Sequence, residues 1–208
     1  MFSLPAPLVL ALGLGITTAS NAQSLDTVQI ALRGINAYAN GQMTAAARDF
    51  EVAGRRGNRL AQYNFAIMVA RGETTSEDAY PVWRWLRRAA YQGLPPAQYA
   101  FALLYANGDG VERNPATAAK WYRKAAVQGH VDAQMALAQL YLDGNGSTED
   151  RAQAAHWLAA AARSGDRQAQ RQLAHMLDTG DGVSRDPEAA RLWRQRADEA
   201  EMPAAGPH

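Results

Sequence analysis

Between residues 97 and 126 the apolar positions change rhythm once. Ala97, Phe101, Leu104 and Tyr105 fall at i, i+4, i+7 and i+8, which is one face of a helix. After a polar interval, Ala118, Trp121, Tyr122, Ala125 and Ala126 fall at i, i+3, i+4, i+7 and i+8, one face of a second helix. The interval has its own grammar. Gly108 can take the left-handed conformation that closes a helix C-terminus. Asn114 is placed to cap the next helix through its side chain, and Pro115 sits where a missing N–H costs nothing. Gly129 ends the second helix.

The same pattern returns in steps of 36. The motif G-x-x-x-A-Q begins at Gly57, Gly93, Gly129 and Gly165, successive differences of 36, 36 and 36. Further columns keep the step: Ala66, Ala102, Ala138, Ala174; Gly72, Gly108, Gly144, Gly180; Asp78, Asn114, Asp150, Asp186. A fourth, Trp85, Trp121, Trp157 and Trp193, takes four of the five tryptophans, so the indole belongs to the architecture. The alanines let helices approach closely, and the indole fills the space between them. Burying one removes roughly 150–250 Å² from water, and truncating one to alanine should cost about 3–5 kcal/mol.

The departures are informative. Tyr38-Ala39-Asn40-Gly41 repeats the YANG of residues 105–108, but its following helix is expected about five residues sooner, as in a plain helical hairpin serving as an N-terminal cap. Thr74 replaces a loop glycine, and Pro81 falls in a first helical turn, where it is tolerated. Arg194 and Asp198 stand where Tyr122 and Ala126 stood, giving the last unit the polar outer face of a terminal repeat.

The pattern A-Q-x-x-x-A-x-x-Y-x-x-G-x-G-V…A-x-x-W-Y-x-K-A-A-x-x-G resembles the SEL-one-like repeat, a relative of the tetratricopeptide repeat, and residues 97–129 match it almost throughout. The resemblance covers roughly residues 30–200. It implies an all-α fold: a right-handed superhelical solenoid of antiparallel helix pairs, about four 36-residue repeats plus an N-terminal capping helix pair, occupying residues 25–201. It also implies a concave groove lined by the first helix of each pair, where a protein or peptide ligand would sit. Two variable columns then become the candidate partner-binding residues: Tyr63, Tyr99, Met135 and Arg171 in one, Ile67, Leu103, Gln139 and His175 in the other.

Composition narrows the partner and the compartment. The 21 basic and 20 acidic side chains leave a net charge of +1, without the basic excess of a nucleic-acid binder. Residues 23–92 carry nine basic and six acidic groups and residues 93–208 carry twelve and fourteen, so the polarity is mild. Cysteine is absent, which excludes disulfides, thiolate nucleophiles and zinc–thiolate sites. Residues 1–22 carry no charged side chain. Their apolar run from Leu8 to Ile16 falls short of the roughly 20 residues a bilayer span needs. Ser20-Asn21-Ala22 supplies a small–x–small cleavage pattern before Gln23. Residues 1–22 are therefore expected to be a cleaved signal peptide, the mature chain periplasmic or secreted without a membrane span, and residues 202–208 a disordered tail.

Fragments that suggest chemistry have structural readings. Asp178-Thr179-Gly180 spells an aspartic-protease triplet, yet its column places it at a helix end. Gly108-Asp109-Gly110 and Gly180-Asp181-Gly182 lack the oxygen ligands and closing Glu of a calcium loop. His130, His156, His175 and His208 form no H-E-x-x-H, and exposed or half-buried structural roles are expected for them. Some cysteine-rich members of the repeat family are described as acting on β-lactams; here no cysteine exists, and Thr117 and Trp121 stand three before Lys120 and Lys124, so there is no Ser-x-x-Lys. Trp83 and Trp85 beside Arg84, Arg87 and Arg88 suggest stacking on sugars or nucleotides, although Trp85 belongs to the core column. The expected function is protein–protein interaction by an exported scaffold, most readily a periplasmic adaptor or regulator. It needs no catalytic residue, cofactor or metal. The rival reading is a hydrolase acting on β-lactam or cell-wall substrates.

Overall fold

The computed structural model describes residues 22–74, 82–144 and 148–199. The expected leader up to Asn21, the positions Asp78 and Pro81, and the tail 202–208 lie outside the described residues. Ten helices and no strand occur among the described residues: α1 (Ala22–Ala39), α2 (Met43–Arg55), α3 (Arg59–Ala70), α4 (Val82–Tyr91), α5 (Pro95–Asn107), α6 (Pro115–Ala126), α7 (Val131–Leu142), α8 (Thr148–Arg163), α9 (Arg167–Thr179) and α10 (Pro187–Glu199). They form five helical hairpins, the expected capping pair and four repeats. None is long and apolar enough to cross a membrane. The chain divides into two compact units, 1–121 and 122–208, with the division falling inside α6.

In the first unit, α2 starts at Met43, five residues after Tyr38, whereas α6 starts ten residues after Tyr105. The early start predicted for the first hairpin is therefore present. Its two helices lie very close: a Cβ added to Gly34 would stand 2.8 Å from the Phe50 ring. Buried Asp49 is paired with Arg33, whose Nε and Nη2 each donate at 3.3 Å. Along the rest of the unit the tryptophan column meets aromatic rings edge-on. Trp85 packs on Phe65 with centroids 5.2 Å apart, and Trp121 on Phe101 at 5.2 Å and Tyr91 at 5.0 Å. Both indoles are buried, as the periodicity requires.

In the second unit α7 packs on α8, α8 on α9 and α9 on α10. Trp157 is buried, but Trp193 is only half-buried and lies under the Arg196 guanidinium, 4.8 Å from its ring centroid. Two column assignments need correction here. Gly144 does not take a positive φ; α7 ends instead on Asp143, in the right-handed helical region. Asp150 is no N-cap but lies in the first turn of α8, which begins at Thr148. The reason is one position away. In the other two G-x-G loops an arginine donates to the preceding helix end, Arg113 Nε to the Ala106 carbonyl at 3.1 Å and Arg185 Nε to the Asp178 carbonyl at 2.8 Å. Glu149 occupies that column and cannot donate.

Successive hairpins are joined by a recurring device. Gly57, Gly93, Gly129 and Gly165 all have φ between 80° and 97°, and the residue after each donates its N–H five residues back, as in Asn58 to Ala53 at 3.0 Å. This is the Schellman geometry. Each following glutamine, buried at 3–6% exposure, then reaches back eight residues to a helix-end carbonyl. In the first unit Gln62 donates to Gly54 at 2.9 Å and Gln98 to Ala90 at 3.2 Å; in the second Gln134 donates to Ala126 at 3.1 Å and Gln170 to Ala162 at 3.1 Å. A helix leaves its last carbonyls without intrahelical partners. Losing a donor to a buried one costs about 1–3 kcal/mol, which explains why the motif needs Gln beside Ala.

Candidate functional site

The candidate partner-binding residues separate by burial. Tyr63 and Ile67 were expected at the surface and are not there: both are fully buried. Helix α3 is packed against α1, α2 and α4, so its variable positions belong to the core of the first unit. Tyr99 and Leu103 on α5 are half-buried, as is Met135 on α7. Gln139, Arg171 and His175 are exposed. Gln139 Nε2 donates to Asp143 Oδ1 at 2.6 Å, and Arg171 pairs with Asp198 of α10 at 3.5 Å.

Of these residues, Arg171 and His175 share a cavity of ≈ 310 Å³ in the second unit. Leu142, Leu158 and Met176 contribute its apolar surface, with Gln172 and Asp181 completing the lining. Leu158 and Met176 are core residues, so the apolar wall is continuous with the packed interior. Asp181 is carried there by the loop after α9. Gly182 (φ 72°) lets that loop touch α8: an added Cβ would stand 2.4 Å from the Arg151 carbonyl carbon. Arg151 is ion-paired with Asp181. The result is an apolar socket with an imidazole, two guanidinium-bearing side chains and a carboxylate at or beside it. Such a site suits a partner's aliphatic or aromatic side chain flanked by polar groups. Sequence reasoning found Arg171 and His175 but missed Leu142, Leu158, Gln172, Met176 and Asp181. Nothing in the repeat pattern pointed to them, because the loop's meeting with α8 is a contact between separate hairpins.

Helix α4 carries a second concave surface, of ≈ 410 Å³, lined by Trp83, Arg84, Arg87, Arg88 and Tyr91. Here the suggested stacking platform is already covered. Arg84 lies over Trp83 at 5.3 Å, Arg87 over Tyr91 at 5.5 Å and Arg88 over Trp85 at 6.0 Å.

The remaining fragments have structural uses. Thr179 Oγ1 donates to the His175 carbonyl at 3.0 Å, Asp178 accepts from Arg194, and Gly180 closes α9 at φ 78°. The triplet terminates a helix. In the first G-x-G loop Asp109 accepts from Asn107 at 3.3 Å. His156 and His175 are exposed, and no cluster of three or more His, Asp or Glu side chains suited to a metal occurs among the described residues. His130 is half-buried and caps α7, its Nδ1 accepting the Ala133 N–H at 3.4 Å. Burial pushes its pKa below the ordinary imidazole value, against the opposing charge of Asp132. Both facts favour the neutral ring.

Helical hairpins repeated every 36 residues, joined by glycine stops and filled by tryptophan, define an α-helical repeat protein of the tetratricopeptide-like class. The Sel1 repeat matches residues 83–94, 95–130, 131–166 and 167–197, and the chain belongs to the Sel1 repeat family. Proteins of this family are helical-repeat scaffolds for protein interaction. Among solved structures, the chain is similar to a Sel1 repeat protein of Oxalobacter formigenes, with 32% identity and a TM-score of 0.69 over 78% of this chain and 47% of the other. It is also similar to a protective antigen present in uropathogenic Escherichia coli strains, of SLR fold, with 30% identity and a TM-score of 0.72 over 86% of this chain and 38% of the other. The chain thus spans less than half the length of either relative. No curated protein matches.

Proposed function

We propose that the chain is an exported scaffold that holds a protein partner, acting in the periplasm as an adaptor or regulator. The observation that carries the binding part is the socket on α9. Its apolar wall and its polar rim with Arg171 and His175 fit an anchoring side chain, while the family supplies the general role. Export rests on the N-terminal sequence: an uncharged, apolar leader ending in Ser20-Asn21-Ala22.

Crosslinking in the native envelope tests both parts. The expected result is a defined crosslinked protein, lost with His175→Trp, which fills the socket, and retained with His156→Ala on the exposed face of α8. N-terminal sequencing of the mature chain should begin at Gln23. A chain that keeps residues 1–22 in the cytosol overturns export. A partner captured equally by the His175→Trp protein overturns the socket.

A further inference from the structure

Maturation after Ala22 creates a reactive first residue. The cut opens α1 at its first peptide bond and makes Gln23 the N-terminal residue of the mature chain. The side-chain amide carbon of a glutamine, Cδ, lies within reach of its own α-amine, and closing the two gives a five-membered ring. Asparagine, one methylene shorter, would need a strained ring of four.

The fold favours that closure in three ways. The first N–H groups of a helix have no carbonyl four residues back, so α1 does not hold the new amine in an intrahelical bond. An ammonium at that place stands at the positive end of the helix dipole, which repels it. No acidic side chain occupies the first turn of α1, and the first carboxylate along the helix, Asp26, is ion-paired with Arg56 of α2. Loss of the ammonium charge removes the repulsion. Finally, a ring joining the backbone nitrogen to its own side chain is what proline carries, and the first helical position accepts such a ring.

We propose that Gln23 is a modification site, cyclising to pyroglutamate once the leader is removed. The neutral amine, present at pH 7 given an ordinary α-amino pKa of about 7.7–8.0, attacks Cδ of the side-chain amide. A bond forms between the α-nitrogen and Cδ while the bond from Cδ to Nε2 breaks. Nε2 leaves as ammonia, taking the proton that the amine gives up. The step consumes no oxidant, cofactor or second substrate. Its product has an uncharged N-terminus and offers no free amine to an aminopeptidase. The inference rests on the reading of residues 1–22 as a cleaved leader and adds the fate of the terminus that cleavage exposes.

Two preparations test it: the mature chain recovered from the envelope, and the chain made with residues 1–22 replaced by a tag whose protease leaves Gln23 first. After incubation at neutral pH, both should weigh less by one ammonia than the sequence from residue 23 requires. Both should also lose labelling of the α-amine by an amine-reactive fluorophore. Tandem mass spectrometry reads the start at residue 23, since stepwise degradation needs a free amine, and it should place the lost ammonia on that residue. The location matters because an Asn-Gly step such as Asn40-Gly41 loses ammonia on forming a succinimide. The Gln23→Asn chain, its folding checked by circular dichroism, should keep its α-amine and show no loss at residue 23. A chain that starts at Gln23 with its amine still free overturns the proposal and leaves export standing. A chain that keeps residues 1–22 overturns export, and the cyclisation with it, since residue 23 then has no amine. Equal loss of labelling in the Gln23→Asn protein also overturns the proposal, because a different group would then block the terminus.

Discussion

The last two hairpins, α7–α8 and α9–α10, share one sequence register and solve it differently. In α9–α10 the connecting loop is fastened twice, by Arg185 on the Asp178 carbonyl and by the approach of Gly182 to the backbone of Arg151. In α7–α8 Glu149 takes the arginine's place, Gly144 leaves the left-handed region and the next helix begins early, at Thr148. The tryptophans differ in the reverse sense: Trp157 is enclosed, whereas Trp193 is half-buried and covered by Arg196. One hairpin is anchored mainly by its core, the other by its loop. Occupying the same column does not give two residues the same work.

Substitutions can break this contrast, and the indoles should show it most strongly. Trp157→Ala empties an enclosed site and is expected to cost about 3–5 kcal/mol, with Trp193→Ala costing roughly half as much. Denaturant unfolding of both proteins would decide, and equal losses would refute the division. The loop glycines come next, in the opposite order. Gly182→Ala adds a Cβ against the Arg151 carbonyl at a positive φ, an expected cost of about 2–4 kcal/mol from left-handed strain and overpacking. Gly144→Ala should cost less, about 1 kcal/mol: its backbone is not left-handed, and the added Cβ would stand 3.2 Å from the Tyr141 carbonyl oxygen, a milder crowding than at Gly182.

The smallest effect concerns the first turns of α7 and α9, capped by His130 and Asp166. His130 has a depressed pKa in the fold, so the unfolded chain takes up its proton first on acidification. Its stabilising contribution is complete above the unfolded value of about 6.5 and declines as pH falls below it. His130→Asn should retain a cap of about 1 kcal/mol and flatten that part of the pH–stability curve. Thermal melts across that range would sharpen the comparison. An unchanged slope would mean that the ring is not the responsive group.

Much of the fold was legible because repeats report what every hairpin needs alike. The glycine stops at Gly57, Gly93, Gly129 and Gly165, the caps Asn114 and Asp186, and the early start of α2 all follow from local backbone chemistry. The binding surface was less legible. Tyr63 and Ile67 vary along their columns, as a surface would, yet packing around α3 encloses them, and variation cannot separate a specialised surface from a specialised core. The socket depends on a loop meeting a helix 30 residues away in sequence, from Arg151 to Asp181, a distance at which periodicity is silent. The aromatic–arginine face of α4 was visible in sequence, but that the rings lie beneath the cations was not.

The glutamine that reaches back eight residues has an evolutionary corollary. Because the amide grips a main-chain oxygen, the joint asks of the accepting hairpin only a small, enclosed residue at that position, and Gly54 and Ala90 both meet that demand. Whole hairpins can therefore be duplicated, deleted or shuffled without redesigning the seam, and a lineage can change its length in increments of one coupling.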